Sequence, residues 1–231
     1  MFKTMKDRLF EAAAEGNRDE VRRLMEEGGF DANVKSSLWR GTPILAYAIL
    51  NQDHDLAQDL IEKGANVRAV VDGMPLLLMA RDAKSVHMLL EAGATVMARM
   101  EKDYPSLAKG ATALHKAALN DNPEVLKELI SFGAEIDARD AYGNTPLHFA
   151  ASRSIVNSKA LVMAGADLHA ETKSGVTPSA LIMQTFGFAR LADAWLRERA
   201  AAFTTSALAR FRAGMDLSEQ AAHSKPAAPR M

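Results

Sequence analysis

The sequence predicts an all-α repeat solenoid, a stack of about six helix pairs that includes a capping unit at each end. Two observations predict it. A seven-residue phrase recurs as "TPILAYA" from Thr42, "MPLLLMA" from Met74, "TALHKAA" from Thr112, "TPLHFAA" from Thr145 and "TPSALIM" from Thr177, at spacings of 32, 38, 33 and 32 residues. Each of the first four is followed by an apolar stretch and a small-residue stop: "LIEKGAN" (60–66), "LLEAGAT" (89–95), "LISFGAE" (129–135) and "LVMAGAD" (161–167). "LMEEGGF" (24–30) closes an earlier unit in the same way. Self-similarity at a period in the thirties marks a stacked array whose units cannot bury an apolar face alone.

Each element has a local reason. Thr offers a side-chain oxygen to a helix N-terminus, and Pro fits the first helical position, where its missing N–H costs nothing. Paired alanines on the inner face let two short helices approach closely. A second helix turns Leu-Leu or Leu-Ile pairs to the core. Gly64, Gly93, Gly133 and Gly165 then suit the left-handed position that ends a helix.

Composition narrows the functions open to this chain. Hydrophobic residues are 48% and charged residues 25% of 231, an ordinary globular balance. The net charge of −1 gives no general attraction to nucleic acid or to an anionic membrane. With no cysteine, thiolate nucleophiles, disulfides and Cys-based zinc sites are all excluded. No window approaches the ~18 apolar residues of a membrane span, and the N-terminus lacks the apolar core of a signal peptide. The expectation is a cytoplasmic protein, or a periplasmic or secreted one if a leader has been removed. No phosphate loop, nucleophile elbow, dinucleotide fingerprint or zinc helix is written in the chain. No cofactor and no metal are therefore expected.

"GNTPLHFAA" (143–151) with "MAGADLHAE" (163–171), and the near-complete unit "GATALHKAALNDNPEVLKELISFGAEIDARD" (110–140), resemble the ankyrin repeat family over about residues 5–199. The resemblance implies antiparallel helix pairs joined by β-hairpin fingers, divided as a capping repeat at 5–38, internal repeats at 39–71, 72–108, 109–140 and 141–172, and a C-terminal capping repeat at 173–199. It also implies that His115 and His148 hold turns together. An imidazole offers one donor and one acceptor, and a repeated buried polar group ordinarily satisfies backbone. His54, His87 and His169 read as isolated surface residues.

Several features depart from the family pattern. Met74 and Leu77 stand where Thr and His are expected, and the third repeat is short between its helices, so its turn must be tight. Asn157 and Ser158 occupy apolar positions, which predicts a distorted or shortened second helix there. The spacing of 38 before Thr112 puts about five extra residues into Met97–Gly110 and predicts a long finger. Leu191, Trp195 and Leu196 are expected to bury against the fifth repeat. Residues 200–214 carry helical spacing for one additional helix, and 215–231 read as a flexible tail.

Function must be argued from the surface, since this fold hosts many activities. The family binds proteins through finger tips and the exposed side of each first helix. Carried over position by position, the partner-binding candidates are Trp39, Arg40, Lys109, Tyr142 and Asn144 from the fingers, and Arg99 and Tyr104 from the long finger. Ile49, Leu50, Arg81, Asp82, Leu119, Asn120, Ser152, Arg153 and Gln184 come from the first helices. The predicted function is a non-catalytic module that binds an unidentified partner protein, as an inhibitor or immunity protein of an enzyme in its sharpest form. A monomer is expected, with neither nucleic acid nor membrane as partner. The competing reading is an enzyme with a polar site in the concave groove, built on Asp82 with Arg81 and Arg153.

Overall fold

Helices come in pairs throughout the computed structural model, which describes residues 3–37, 40–120 and 123–196, the last stretch from 188 on by its backbone alone. The chain forms two compact units. One is built on residues up to Ala117 together with Glu124–Glu135, the other on Ala118–Pro123 and the residues from Ile136 on.

In the first unit α1 (Met5–Ala14) pairs with α2 (Arg18–Gly28), and α3 (Ile44–Leu50) with α4 (His54–Glu62). A two-residue hairpin of β1 (Val70–Val71) and β2 (Met74–Pro75) leads into α5 (Leu76–Met79) and α6 (Ala83–Glu91). Next come α7 (Ala113–Ala118) and α8 (Pro123–Ser131). Caps set the helix starts. Thr4 accepts from the Asp7 N–H at 3.1 Å while the Asp7 carboxylate accepts from the Thr4 N–H at 3.1 Å, a reciprocal box. Asn17, Asp53 and Asp82 cap α2, α4 and α6 through their side chains. The stops follow the glycines: Gly64, Gly93 and Gly133 have φ of +84°, +91° and +81°. Leu9, Leu24, Ile44, Leu45, Leu76 and Leu89 are fully buried at the centre.

The third repeat loses its length from the first helix. Helix α5 has only four residues, and Ala80 leaves it in an extended conformation (φ −62°, ψ 140°) before Asp82 caps the next.

The second unit holds α9 (Pro146–Ala151), α10 (Ile155–Met163) and α11 (Pro178–Leu196). Helix α10 corrects the expectation of a distorted helix: it runs nine residues, as α6 and α8 do. Its two buried polar residues are accommodated by hydrogen bonds. The Ser158 hydroxyl donates to the Ser154 carbonyl at 2.8 Å, and the Asn157 amide donates to the Asn120 carbonyl. Gly187 (φ 68°, ψ 162°) interrupts α11 with a kink. The expected helix over 200–214 and tail over 215–231 lie outside the described residues, as do Trp39 and the side chains of Leu191, Trp195 and Leu196. Among the described residues no helix is long and apolar enough to cross a membrane.

Candidate functional site

The repeated histidine is a helix cap. His148 is 3% exposed; its Nδ1 accepts from the Thr145 N–H at 3.0 Å and from the Thr145 hydroxyl at 2.9 Å. That fixes the proton on Nε2, which donates to the Val176 carbonyl at 3.1 Å. Burial holds the ring below the ordinary histidine range, in the direction of the neutral form that an accepting Nδ1 requires. His115 repeats the arrangement on Thr112, with Nδ1 at 3.1 Å from the backbone nitrogen and 2.9 Å from the hydroxyl. Thr-x-x-His is thus a variant of the capping box, with imidazole in the place of a carboxylate.

The other histidines divide. His169 is exposed, as expected. His54 is half-buried and its Nε2 lies 3.0 Å from Asp82. His87 is exposed but packs edge-on against Phe132 and lies 2.8 Å from Glu128. Neither is isolated: in a stack, the residue at the start or outer side of one second helix meets its counterpart in the next.

The long finger is a built structure. Its base is an isolated pairing of Arg99 with Thr112, extended by hydrogen bonds from Met100 to Ala111 and from Gly110 to Met100, each 2.8 Å. Its tip is a tight turn in which the Tyr104 and Leu107 backbones bond each other, with Pro105 and Ser106 exposed between them. Pro pre-sets φ for that position. Met100, Leu107 and Ala108 are buried, so the finger is anchored by apolar side chains as well as by its hydrogen bonds.

What orients the finger is Asp72, a residue the sequence reading passed over. Asp72 (φ 51°) and Gly73 (φ 80°) form the left-handed pair between β1 and β2, as a two-residue hairpin loop requires. The Tyr104 hydroxyl donates to the Asp72 carbonyl at 2.8 Å and lies 3.1 Å from its carboxylate. Lys102 and Arg40 both donate to that carboxylate, and the Glu101 N–H donates to the Gly73 carbonyl at 2.9 Å. The Lys102 hydrogen bond, with Tyr104 and Arg40 behind it, holds the Asp72 carboxyl below its ordinary range. Burial and the neighbouring carboxylate push the Tyr104 phenol up. The Asp-Gly dipeptide was the available signal for this turn.

In the second unit the hairpin is closed by its own residue. Asp140 accepts from the Tyr142 and Asn144 N–H groups, both 2.9 Å, and from the Asn144 amide at 3.0 Å. Tyr142 at the tip is 57% exposed. Gly143 (φ +81°) is where the next loop touches: a Cβ there would sit 3.1 Å from the Lys173 backbone nitrogen.

The remaining candidates fall into three groups. Arg81, Lys109, Asn120, Ser152, Arg153 and Gln184 are exposed, and Leu50 and Leu119 are half-buried. Arg40, Arg99, Tyr104 and Asn144 are occupied in holding fingers, Arg99 through Glu135 and the Gly110 carbonyl, each at 3.0 Å. Two expectations are corrected. Ile49 is fully buried, because α3 packs against both α1 and α5 and its last turn has no solvent face at that register. Asp82 is the cap of α6, bonded to the Ser85 N–H at 2.9 Å, the Ser85 hydroxyl at 2.7 Å and His54. Burial raises its carboxyl, but those partners outweigh burial and leave it below its ordinary range.

A cleft of about 250 Å³ lies in the first unit between Val67–Val70, Pro75–Leu77 and Ala94–Glu101. Arg68, Arg99 and Glu101 bring its charges; no histidine, aspartate or serine lines it. Among the described residues no group of three His, Asp or Glu side chains converges to hold a metal ion.

Comparison with known proteins agrees with this geometry. The chain is 34% identical over 148 residues to the mitochondrial disaggregase of Bos taurus, covering 62% of this chain and 20% of that protein. It is 38% identical over 102 residues to protein phosphatase 1 regulatory subunit 27 of Mus musculus, covering 42% of this chain and 64% of the other. The chain thus spans about a fifth of the disaggregase, whose activity belongs to a much longer protein. A chain of the solved complex of a predatory endopeptidase from Bdellovibrio bacteriovorus with an immunity protein superposes with a TM-score of 0.67 and 22% identity. The match covers 83% of this chain and 98% of that one, and at this identity it shows the fold. Residues 76–172 match the family model for ankyrin repeats in three copies. With the helix pairs, hairpins and Thr-His boxes described above, the chain carries ankyrin repeats, matched over residues 76–172.

Proposed function

We propose that the chain is a non-catalytic module that binds a partner protein with its hairpin fingers and inner helices, and that the long finger is the element that occludes an enzyme's site. Ankyrin repeats mediate protein–protein interaction. The observation that carries the sharper reading is the pinning of the finger: three side chains and a backbone bond converge on Asp72 and Gly73, leaving Pro105 and Ser106 projecting. A hairpin held in one conformation loses little entropy on binding, which an inserted inhibitor element needs. The fold shared with a chain from an endopeptidase–immunity protein complex fits this reading. Asp82, the carboxylate of the enzyme alternative, is committed to a helix cap and to His54, which favours the binding reading.

The test uses the tip and spares the pins. Partners are captured from the source cells with the native chain and with Ser106→Arg, which adds bulk at an exposed turn residue. An enzyme retained by the native chain, inhibited in the complex and released by Ser106→Arg establishes the inhibitor. An enzyme held equally by both removes the finger from the interface. The same reading takes the protein as a cytoplasmic monomer with no nucleic acid, membrane or cofactor partner, and light scattering of the purified chain checks the first of these.

A further inference from the structure

One register of the first helices is apolar except in a single repeat. The residues that directly follow the motif's histidine position are Ala46, Leu78, Lys116 and Phe149. Ala46 and Leu78 are buried and Phe149 is half-buried. At Lys116 an ammonium takes that place and donates to the Leu78 carbonyl, at the end of the four-residue α5. Arg81, two residues beyond α5, adds a second positive charge that acts on it. Burial first and Arg81 second push the Lys116 amine down to about 8.

Among the described residues no carboxylate bonds to Arg81 or to Lys116. Asp82, adjacent in sequence, is committed to Ser85 and His54. Arg81 makes no hydrogen bond or ion pair among the described residues, whereas Arg18, Arg22, Arg40 and Arg99 of the same unit each meet an aspartate or glutamate. Two cations near the end of α5, one of them desolvated, disfavour each other and the folded state. A carboxylate placed between them would relieve both terms at once, and fork geometry suits Arg81 to it.

We propose that Arg81 and Lys116 receive a carboxylate side chain of the partner, so that the partner presents an Asp or Glu to the inner helices of this unit. This rests on the protein-binding reading above and adds the chemistry of the contact. It is tested without the partner, so its failure is separable from the failure of that reading.

The full-length chain is labelled with acetic anhydride across a range of pH, and the rate at Lys116 is read by mass spectrometry. An oligo-glutamate peptide is the probe, with oligo-glutamine and inorganic phosphate as controls. The expected result is a Lys116 amine that titrates near 8 in the free chain and about one unit higher with oligo-glutamate, slowing labelling at neutral pH about tenfold. Oligo-glutamine has no such effect, and Arg81→Gln weakens the effect of oligo-glutamate. An ordinary lysine titration in the free chain overturns the proposal, as does equal protection by the neutral peptide. Equal protection by phosphate overturns the assignment to a protein carboxylate. The melting temperature of Lys116→Met separates binding from support: an unchanged or higher value is expected, while a fall of several degrees would assign Lys116 to holding α5 and overturn the proposal.

Discussion

The two hairpins with the clearest geometry are closed in opposite ways. The short one at Asp140–Thr145 satisfies itself: one buried aspartate collects the N–H groups of its own turn and the amide of Asn144. The long finger at Met97–Gly110 takes its orientation from the preceding hairpin, where Asp72 gathers Lys102, Tyr104 and Arg40. A self-closed hairpin is expected to open only with its repeat, and a pinned one to open before the repeats unfold. The difference teaches where stability ends and presentation begins.

Asp140→Ala should give the largest global loss. It strips a 7% exposed carboxylate from three donors, and each charge-assisted bond counts for roughly 1.5–3 kcal/mol, not fully additive. A drop of about 2–3 kcal/mol in urea unfolding is expected; a drop below ~0.5 kcal/mol would show that water replaces the aspartate at little cost.

His148→Gln should cost about 1 kcal/mol and should also flatten the dependence on pH. The folded-state value of His148 is depressed, so its contribution is fully present above the unfolded value near 6.5 and erodes as pH falls below it. The native chain should therefore lose stability between pH 7 and 5, and the variant should lose less. Equal slopes would mean that other groups carry the acid response.

Asp72→Asn should leave the unfolding midpoint almost unchanged but accelerate amide exchange at Met100 and Tyr104, whose N–H bonds lie in the finger, and at Glu101, whose N–H donates to the Gly73 carbonyl. If exchange in the finger stayed slow, the burial of Met100, Leu107 and Ala108 would suffice to hold it, and the contrast between the two hairpins would vanish. Tyr104→Phe, which removes one donor and keeps the ring, should produce a smaller version of the same acceleration.

Much of the fold was legible because its signals are local. Thr-Pro starts, Gly stops and the extra residues before Thr112 each act over a few positions, and the structure places helices and a finger there. The histidine role was legible from its repetition beside Thr. What the sequence hid depends on stacking. Ile49 looks like a free end of helix, yet α1 and α5 cover it. The Asp72–Tyr104 bond joins residues 32 positions apart, and no local pattern announces it. Lys116 sits inside the strongest motif of the chain, where attention to the histidine beside it obscured a cation in an apolar register.

The Thr-His box also gives the stack a direction. Its acceptor nitrogen serves the repeat that owns it, but its Nε2–H reaches forward to Val176, on the loop of the following repeat. Removing the following loop would strand a buried donor, while the hydrogen bonds of this box involve no residue before Thr145. For this donor, the repeat depends on its successor and not on its predecessor.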